Sequence, residues 1–211
     1  MIIKTFFFKL GKLFSNKCIV KLFNYTNSFK KYICSGYYSK QFKYYGTNTI
    51  IPSKIELKGG KYIHIGTNSY IGKRAVLTAW DNAKQKKYTP NISIGNNVCI
   101  GDDVHITSIN SIIISDGCLI GKKVTITDND HGHGSISECH ILPIERELST
   151  KGGIYIGENT WIADKVTIVS GVSIGKNCII GANSVITKSF PDNCIIAGTP
   201  GKIIKKIDLH E

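Results

Sequence analysis

The sequence has no CxxC pair, little proline and no long uninterrupted apolar run. Its seven cysteines are scattered along the chain, and only five prolines are spread over 211 residues. The cysteine pattern argues against a zinc site or a disulfide framework and favours a reducing cytoplasm with free thiols. Recurrent lysines interrupt the apolar N-terminus, which therefore lacks both the roughly 20 apolar residues of a transmembrane helix and the apolar core of a signal peptide.

Acidic residues are missing from residues 1–45, which hold nine lysines among Phe, Tyr, Ile and Leu. The formal net charge is +12, so the rest of the chain contributes only +3. Two interpretations of this basic N-terminal segment stay open. It forms amphipathic helices that pack on the main domain, or it forms a basic amphipathic helix on an anionic membrane surface. Because no nucleic-acid motif accompanies the charge, we do not expect nucleic acid as a partner.

Aliphatic residues recur every six positions through most of the remaining chain. The pattern starts at Ile65 and is most regular from Ile156 to Ile186, where every sixth residue is isoleucine. Neither an α-helix nor a simple alternating strand has a period of six. We therefore predict a mainly β solenoid over residues 46–199, in which three hexads form one triangular coil and coils stack at about 4.8 Å. The Gly, Asn and Asp residues after each aliphatic residue are expected to form turns with unusual backbone angles.

The repeat is interrupted at three places. A polar loop occupies about 81–91, a two-residue phase shift falls near Asn110, and a longer excursion covers about 132–153. A loop of that length inside a compact repeat is usually functional. His131 lies at the start of the long excursion, five residues after Ile126, where a coil would turn its corner. This histidine is the candidate reacting group, and the alternative is that it only caps a turn.

Three segments carry a resemblance to a known family: Ile156-Gly-Glu-Asn-Thr-Trp-Ile-Ala, Ile180-Gly-Ala-Asn-Ser-Val-Ile-Thr-Lys and Ala197-Gly-Thr-Pro-Gly-Lys-Ile-Ile-Lys. Over roughly residues 60–207 the chain resembles the hexapeptide-repeat acyltransferases. Within that family it is similar to the sugar O-acetyltransferases, which include maltose and galactoside acetyltransferases and the O-acetyltransferases of surface-polysaccharide synthesis. The resemblance implies a left-handed parallel β-helix and a homotrimer. Beside the β-helix we predict a helical N-terminal segment and a short C-terminal helix within residues 200–211.

The resemblance also implies roles for individual residues. His131 occupies the position of the catalytic histidine, which takes a proton from the attacking hydroxyl, a task that suits histidine near neutral pH. Acceptor contacts are expected at His133, Asn110 and Asp103, although Gly101 replaces the asparagine that binds the acceptor in the family. Positions expected to bind acetyl-CoA are Trp161, Ala163, Asp164, Ala182, Thr187 and Lys188, with Lys202 and Lys205 on its phosphates. We expect no metal, because the histidine spacing of the carbonic-anhydrase branch is absent.

The expected function is acetyl-CoA-dependent O-acetylation of a sugar hydroxyl in the synthesis of O-antigen, capsule or exopolysaccharide. The acetyl group would pass directly to the acceptor, with a backbone N–H near Ala163 stabilising the oxyanion. The acceptor would be a sugar, an oligosaccharide or a lipid-linked glycan. The protein would be cytoplasmic, with peripheral contact at the inner face of the membrane through residues 1–45. Alternatives are N-acetylation of an amino sugar or antibiotic, and a hexapeptide scaffold without catalysis.

Overall fold

The computed structural model describes residues 17–84 and 86–207. Helix α1 (Lys17–Ser39) precedes a series of short strands, which confirms the predicted helical N-terminal segment for its second half. Residues 1–16 of that segment and residues 208–211 of the tail lie outside the described residues. Within the part of the chain that is described, no helix is both long and apolar enough to span a bilayer.

Most strands belong to three parallel sheets that form the three faces of a β-helix. Sheet A consists of β1 (Tyr44–Tyr45), β3 (Ile63–Ile65), β8 (Asn91–Ile94), β11 (Ser111–Ile114), β16 (Ile154–Ile156) and β19 (Ser173–Ile174). Sheet B consists of β4 (Tyr70–Ile71), β9 (Cys99–Ile100), β12 (Leu119–Ile120), β17 (Trp161–Ile162), β20 (Ile179–Ile180), β22 (Cys194–Gly198) and β23 (Gly201–Lys206). Sheet C consists of β2 (Glu56–Lys58), β5 (Val76–Ala79), β10 (His105–Ser108), β13 (Thr125–Thr127), β18 (Thr167–Ile168) and β21 (Val185–Ile186).

Two short hairpins project from this frame. They are β6 (Asn82–Ala83) with β7 (Lys86–Lys87), and β14 (Asp130–His131) with β15 (Leu148–Ser149). Three 3-10 helices cover Gly60–Tyr62, Ile136–Glu138 and Pro143–Glu145. The last two lie between β14 and β15, so the long excursion has ordered local structure of its own.

The predicted aliphatic residues stack into columns inside the β-helix. On sheet C, Ile106 is in register with Ile126, and Ile126 with Ile168. All three are fully buried, as are their counterparts on sheets A and B. Since each buried isoleucine contributes about 1.5–3 kcal/mol relative to an exposed one, these columns supply most of the stabilisation of the fold.

The glycines of the repeat serve a different purpose from the one expected. Gly66 has an ordinary backbone angle, and a Cβ placed on it would lie 2.5 Å from the backbone of Gly95 in the next coil. Glycine is therefore needed at this position for close approach between coils. The left-handed turn residues are instead often asparagines such as Asn68 (φ 55°) and Asn97 (φ 55°), a residue type that tolerates this conformation. The same conformation is adopted at the corner between sheets B and C by Arg74, Asp103, Lys123 and Lys165.

The three interruptions of the repeat all fall at one corner. In sheet A, Ile65, Ile94, Ile114, Ile156 and Ile174 occupy successive coils and are separated by 29, 20, 42 and 18 residues. A regular coil of three hexads has 18 residues, so three of these four coils carry extra residues, as does the preceding coil from Tyr45 to Ile65, which has 20. Each insertion lies between a strand of sheet C and the next strand of sheet A. We call this edge of the prism the C–A corner, and the edge between sheets B and C the B–C corner.

The prediction of a short C-terminal helix is wrong. Gly201–Lys206 form β23, which pairs antiparallel with β22 at the end of sheet B. The Lys-Ile-Ile-Lys pattern fits a surface helix as well as a strand, but β22 presents unpaired backbone groups at the sheet edge. Pairing with those groups favours the strand, and isoleucine tolerates it well.

Helix α1 is held against the first coils by side-chain hydrogen bonds. Ser35 Oγ accepts the backbone N–H of Ile51 at 2.9 Å, and the Tyr38 hydroxyl accepts the N–H of Ile55 at 3.1 Å. Ser35 and Tyr38 are buried, one helical turn apart. The C-terminal half of α1 thus packs on the main domain, as one of the two interpretations of the segment predicted.

Candidate functional site

A buried carboxylate organises the C–A corner. Asp128 is fully buried, and its side chain accepts hydrogen bonds from Ser108 Oγ at 2.6 Å and from the backbone N–H groups of Ile109 at 2.8 Å and Asn110 at 3.0 Å. It therefore fixes the two-residue insertion of the neighbouring coil. The sequence analysis missed Asp128. The available signal was an acid at a coil position where the preceding coils carry Ala79 and Ser108.

His131 leaves this corner on a short hairpin. Asp130 and His131 pair antiparallel with Ser149 and Leu148 across the base of the long excursion. Beyond His131, the N–H of Gly132 donates to Glu147 O at 2.8 Å, and Ser149 Oγ donates to the carbonyl of Gly132. The His131 side chain is exposed, while the backbone that carries it is held on both sides.

A second carboxylate shapes the turn after His131. Glu138 accepts the backbone N–H of His133 at 2.8 Å and that of Ser135 at 3.2 Å. Desolvation raises the pKa of Glu138, but the backbone donors of Ser135, His133 and Gly134 together hold it below its usual value. Gly132 (φ +91°) lies under this turn, where a Cβ would come within 2.9 Å of both Arg146 and Glu138.

His131 lines a groove of about 760 Å³ on the outer side of sheet C. The floor is formed by outward residues of β2, β5, β10 and β13, and the walls by the first and third insertions. The lining residues are Glu56, Val76, Thr78, Trp80, Ala83, Lys84, His105, Thr107, Thr125, Thr127, Asn129, His131, Ile144, Arg146 and Leu148. The sequence analysis did not single out Trp80 or Arg146, since nothing in the repeat marks them.

The two insertions that form the walls are tied to each other. Lys86 Nζ lies 2.9 Å from Glu147 Oε2, and the Tyr88 hydroxyl donates to Leu148 O at 3.0 Å. Residues about 60 positions apart in the chain thus build one continuous rim around His131. The ion pair is exposed and contributes at most about 1 kcal/mol, so its main effect is on geometry.

Two of the predicted acceptor residues come together near His131. His133 and Asn110 both line a second cavity of about 430 Å³, together with Tyr88 and Ser149. His131 and His133 also share a smaller cavity of about 360 Å³. The structure therefore brings His131, His133 and Asn110 to one corner.

Asp103 lies elsewhere. It occupies the B–C corner, where its carboxylate receives two hydrogen bonds from Arg74, at 2.6 and 2.7 Å. Hydrogen bonding to the Arg74 guanidinium lowers the pKa of Asp103. Within one chain Asp103 is not part of the His131 site, and an acceptor contact from it requires a second copy.

The predicted donor residues form two groups in one chain. Trp161, about half exposed, lies on sheet B, and Ala163, Asp164 and Ala182 follow at the B–C corner. Thr187 and Lys188 follow β21 at the C–A corner, and Lys202 and Lys205 are exposed on β23. Thr187 and Lys188 thus share a corner with His131, further along the stack, while Lys202 and Lys205 lie on sheet B and the first group faces away.

The N–H of Ala163 itself is not the oxyanion donor predicted near this residue. The N–H of Ala163 donates to Ile180 O at 2.9 Å in the ladder between coils. An N–H committed to this bond is not available to stabilise an oxyanion. The requirement for parallel pairing between coils explains the difference, because residues just after a sheet B strand still belong to the ladder.

Cys118 and Cys178 are buried at the small positions of the repeat, as expected. Desolvation raises the pKa of Cys118 to about 11 and also raises that of Cys178. Buried thiols of this kind are poor nucleophiles. Across residues 17–84 and 86–207, no group of three His, Cys, Asp or Glu side chains is placed to hold a metal ion.

Comparisons with known proteins agree with this architecture. Residues 153–188 match the family model described as bacterial transferase hexapeptide (six repeats). The chain is 40% identical over 123 residues to the putative lipopolysaccharide biosynthesis O-acetyl transferase WbbJ of Escherichia coli (strain K12), which covers 57% of this chain and 62% of that protein. The chain spans between 47 and 62% of the length of three curated relatives that it matches.

Solved structures show the same fold. A galactoside acetyltransferase in complex with coenzyme A is 31% identical, with a TM-score of 0.51, over 81% of this chain and 68% of that chain. A point mutant of AntD, an N-acyltransferase from Bacillus cereus in complex with dTDP and coenzyme A, has a TM-score of 0.67 at 20% identity, over 82% of this chain and 89% of that chain. At that identity the likeness to AntD shows a shared fold alone.

The fold and the corner site define a hexapeptide-repeat β-helix. The chain belongs to the bacterial hexapeptide-repeat transferase family, and its parallel β-helix is left-handed, as the resemblance implied.

Proposed function

We propose that this protein is an acetyl-CoA-dependent O-acetyltransferase that modifies a sugar hydroxyl of a cell-surface polysaccharide. The placement of His131 carries the proposal, because the hairpin fixes its backbone while its side chain faces a groove large enough for a sugar substrate. Similarity to WbbJ, named for lipopolysaccharide biosynthesis, supports a polysaccharide acceptor. Similarity to a galactoside acetyltransferase that binds coenzyme A supports the donor.

In the proposed mechanism the acetyl group passes directly from the thioester to the acceptor. His131 accepts the proton of the sugar hydroxyl as its oxygen attacks the acetyl carbonyl. The C–S bond then breaks and coenzyme A leaves as the thiol after protonation of its sulfur. An acyl-enzyme is not required, which agrees with the burial of Cys118 and Cys178. Asp128 and the Gly132 turn act indirectly, by holding the backbone on either side of His131.

We further propose that the complete site forms between copies in a homotrimer. Within one chain, Trp161 and Ala163 face away from the C–A corner that carries His131. A second copy whose B–C corner forms the outer wall of the groove would bring these residues, and Asp103, toward the histidine and leave the groove open along its length. Mixing His131→Ala with Ala163→Trp protein tests this arrangement. Recovered activity in the mixed oligomer supports a shared site, whereas no recovery in a confirmed mixed trimer argues for a site within one chain.

The acetyl-transfer proposal is tested with labelled acetyl-CoA and paired hydroxyl and amino-sugar acceptors. We expect transfer to hydroxyls, and we expect His131→Ala to lower the rate by about 10²–10⁴-fold. The matched control is His140→Ala, which removes an exposed histidine of the same excursion that does not line the groove. Turnover of His131→Ala at the rate of the control would show that His131 is not the base. Preferred transfer to amines would favour an N-acetyltransferase.

We also propose a peripheral membrane contact through α1, at the inner face of the membrane. Phe29, Tyr32, Ile33 and Tyr37 are each more than half exposed, and their spacing places them on the helix side opposite Ser35 and Tyr38. An exposed apolar face within a segment of nine lysines and no acid suits an anionic lipid surface.

Vesicle flotation tests this contact. Full-length protein should float with phosphatidylserine-containing vesicles more than with phosphatidylcholine alone, and Phe29→Ser with Ile33→Ser should reduce the fraction. Tyr155→Ser, an exposed aromatic on sheet A, is the control. Equal flotation of all variants would remove the proposal for α1. These point substitutions are preferable to deletion of residues 1–45, which would uncover the core under Tyr38.

A further inference from the structure

The groove beside His131 extends along the axis of the β-helix. Its floor runs from Glu56 on β2, across β5 and β10, to Thr125 and Thr127 on β13. Three strand spacings separate the first and last of these strands, a length of roughly 14 Å. A site shaped for one sugar ring would need only the end of this groove, near His131.

The lining of the groove is mainly apolar, with a line of threonine side chains along its floor. Thr107 is in register with Thr78 and Thr127, so three threonines form a line along the floor. Ile144 and Leu148 contribute apolar wall. Sugar rings present hydroxyl edges and apolar faces, and they fit such a mixture better than a purely apolar or strongly charged molecule does.

Trp80 provides an aromatic wall at a defined distance from the reacting end. Its backbone N–H donates to Ser108 O, and Lys58 Nζ lies 3.2 Å from the centroid of its ring. The backbone bond fixes the position of the residue, and the Lys58 ammonium group covers one face of the indole. Trp80 follows β5 and His131 follows β13, so two strand spacings, roughly 10 Å along the axis, separate their coils.

Acetyl-CoA is expected to approach His131 from the C-terminal end of the β-helix, opposite to the direction in which the groove extends. In the stack of coils, Thr187, Lys188, Lys202 and Lys205 lie on the C-terminal side of the coil that carries His131. The groove extends from that coil toward the N-terminal end. Donor and acceptor would therefore meet at His131 from opposite ends of the β-helix.

We infer that the groove binds the acceptor as an oligosaccharide segment parallel to the β-helix axis, with the acetylated sugar at His131 and a neighbouring sugar ring against Trp80. This inference rests on the proposed O-acetyltransferase function and narrows the acceptor from any sugar or glycan to a glycan of at least two or three rings. Trp80 then determines specificity, because only an acceptor long enough to reach the indole gains this contact.

Acceptor pairs that differ only in length test the inference. Galactose, glucose and N-acetylglucosamine are each supplied as the methyl β-glycoside and as the β-1,4-linked trisaccharide. At least one trisaccharide should have a kcat/KM about tenfold above that of its monosaccharide, the gain expected for one added aromatic contact. Trp80→Ala should abolish that gain mainly by raising KM for the trisaccharide. Trp80→Phe should keep most of it, and so should the sheet A control Tyr155→Ala.

Equal kcat/KM for both lengths in every series would overturn the inference while leaving the proposed function intact. So would a Trp80→Ala variant that slows both lengths equally. If none of these acceptors is acetylated, the proposed function fails for them. Whether the groove binds a trisaccharide is then tested separately by fluorescence. Trp161→Phe leaves Trp80 as the only tryptophan, since the chain has two. A shift of its emission with a trisaccharide supports the groove as a glycan site, and unchanged emission with all three overturns it.

Discussion

Asp128 Oδ2 lies 2.6 Å from Ser108 Oγ, inside the corner from which the His131 hairpin departs. The same carboxylate receives the N–H groups of Ile109 and Asn110, so one buried side chain joins two insertions. In Asp128→Asn one carboxylate oxygen becomes an NH2 donor, which then faces either the N–H of Ile109 or the Ser108 hydroxyl and the N–H of Asn110. We expect a loss of about 1–3 kcal/mol in the free energy of unfolding and a fall in acetyl transfer. Urea denaturation and kinetics on the same preparations measure both effects.

The control for that substitution is Asp116→Asn. Asp116 also accepts a backbone N–H, that of Asn96 at 2.8 Å, but it lies at an exposed turn. Its replacement should change stability by a few tenths of a kcal/mol and leave the rate unchanged. Equal losses for Asp116→Asn and Asp128→Asn would contradict a special role for the buried corner.

Gly132→Ala and Gly134→Ala form a matched pair in the turn after His131. Both glycines have positive φ, so each substitution incurs a backbone cost of about 1–2 kcal/mol. Only at Gly132 would the new Cβ also meet Arg146 and Glu138, whereas nothing lies within 4 Å of a Cβ at Gly134. We expect a larger loss of activity for Gly132→Ala, measured as kcat/KM. Equal activity of both variants would show that the path of this turn does not matter for catalysis.

The turn should loosen in acid. The pKa of Glu138 is lowered in the folded protein from its ordinary value of 4.5, since backbone N–H donors favour the carboxylate. A group with a depressed folded pKa contributes stability that is fully present above its unfolded pKa and is lost as pH falls through the folded value. The protection factors of the His133 and Ser135 amides, corrected for the intrinsic exchange rate, should therefore be constant above about pH 5 and fall below pH 4.5.

Glu138→Gln provides the reference for this pH dependence. The variant should show lower protection of these two amides than the wild type above about pH 5, with no acid transition of its own. A wild-type protein whose amide protection does not change between neutral and acidic pH would contradict the assignment to Glu138.

Direct transfer predicts that the buried thiols are dispensable. Cys118→Ala and Cys178→Ala should lower the free energy of unfolding by about 1 kcal/mol and retain acetyl-transfer activity. Rapid-mixing experiments should show no burst of free coenzyme A that corresponds to an acyl-enzyme. A burst that disappears in either variant would instead identify that thiol as a nucleophile.

The β-helix could be predicted because its determinants are periodic and local. The spacing of Ile156 and Ile162 is the same as that of Ile100 and Ile106, and stacking follows once each aliphatic residue must be buried. The position of His131 followed from the same period, because a break in a regular pattern is visible in a single sequence. Family membership and fold are confirmed, whereas the individual site residues stay predictions.

The walls of the groove could not be predicted, because they depend on contacts between distant residues. Nothing in the sequence pairs Lys86 with Glu147, or Tyr88 with Leu148. Trp80 becomes a candidate acceptor contact only because the strand register places it two coils from His131. The C-terminal strand was not predicted because its local pattern suits a helix. Only the open edge of sheet B, with which it pairs, favours a strand.

The confinement of all three insertions to the C–A corner has a consequence for how such a protein can change. The isoleucine columns stay in register on both sides of insertions of very different length. The packing of the β-helix interior therefore does not depend on the length of each insertion. Doubling a flexible insertion costs only about 0.6 kcal/mol in loop entropy. Substrate selection can therefore diversify at one edge of the prism by lengthening or shortening loops, with no compensating repacking of the interior.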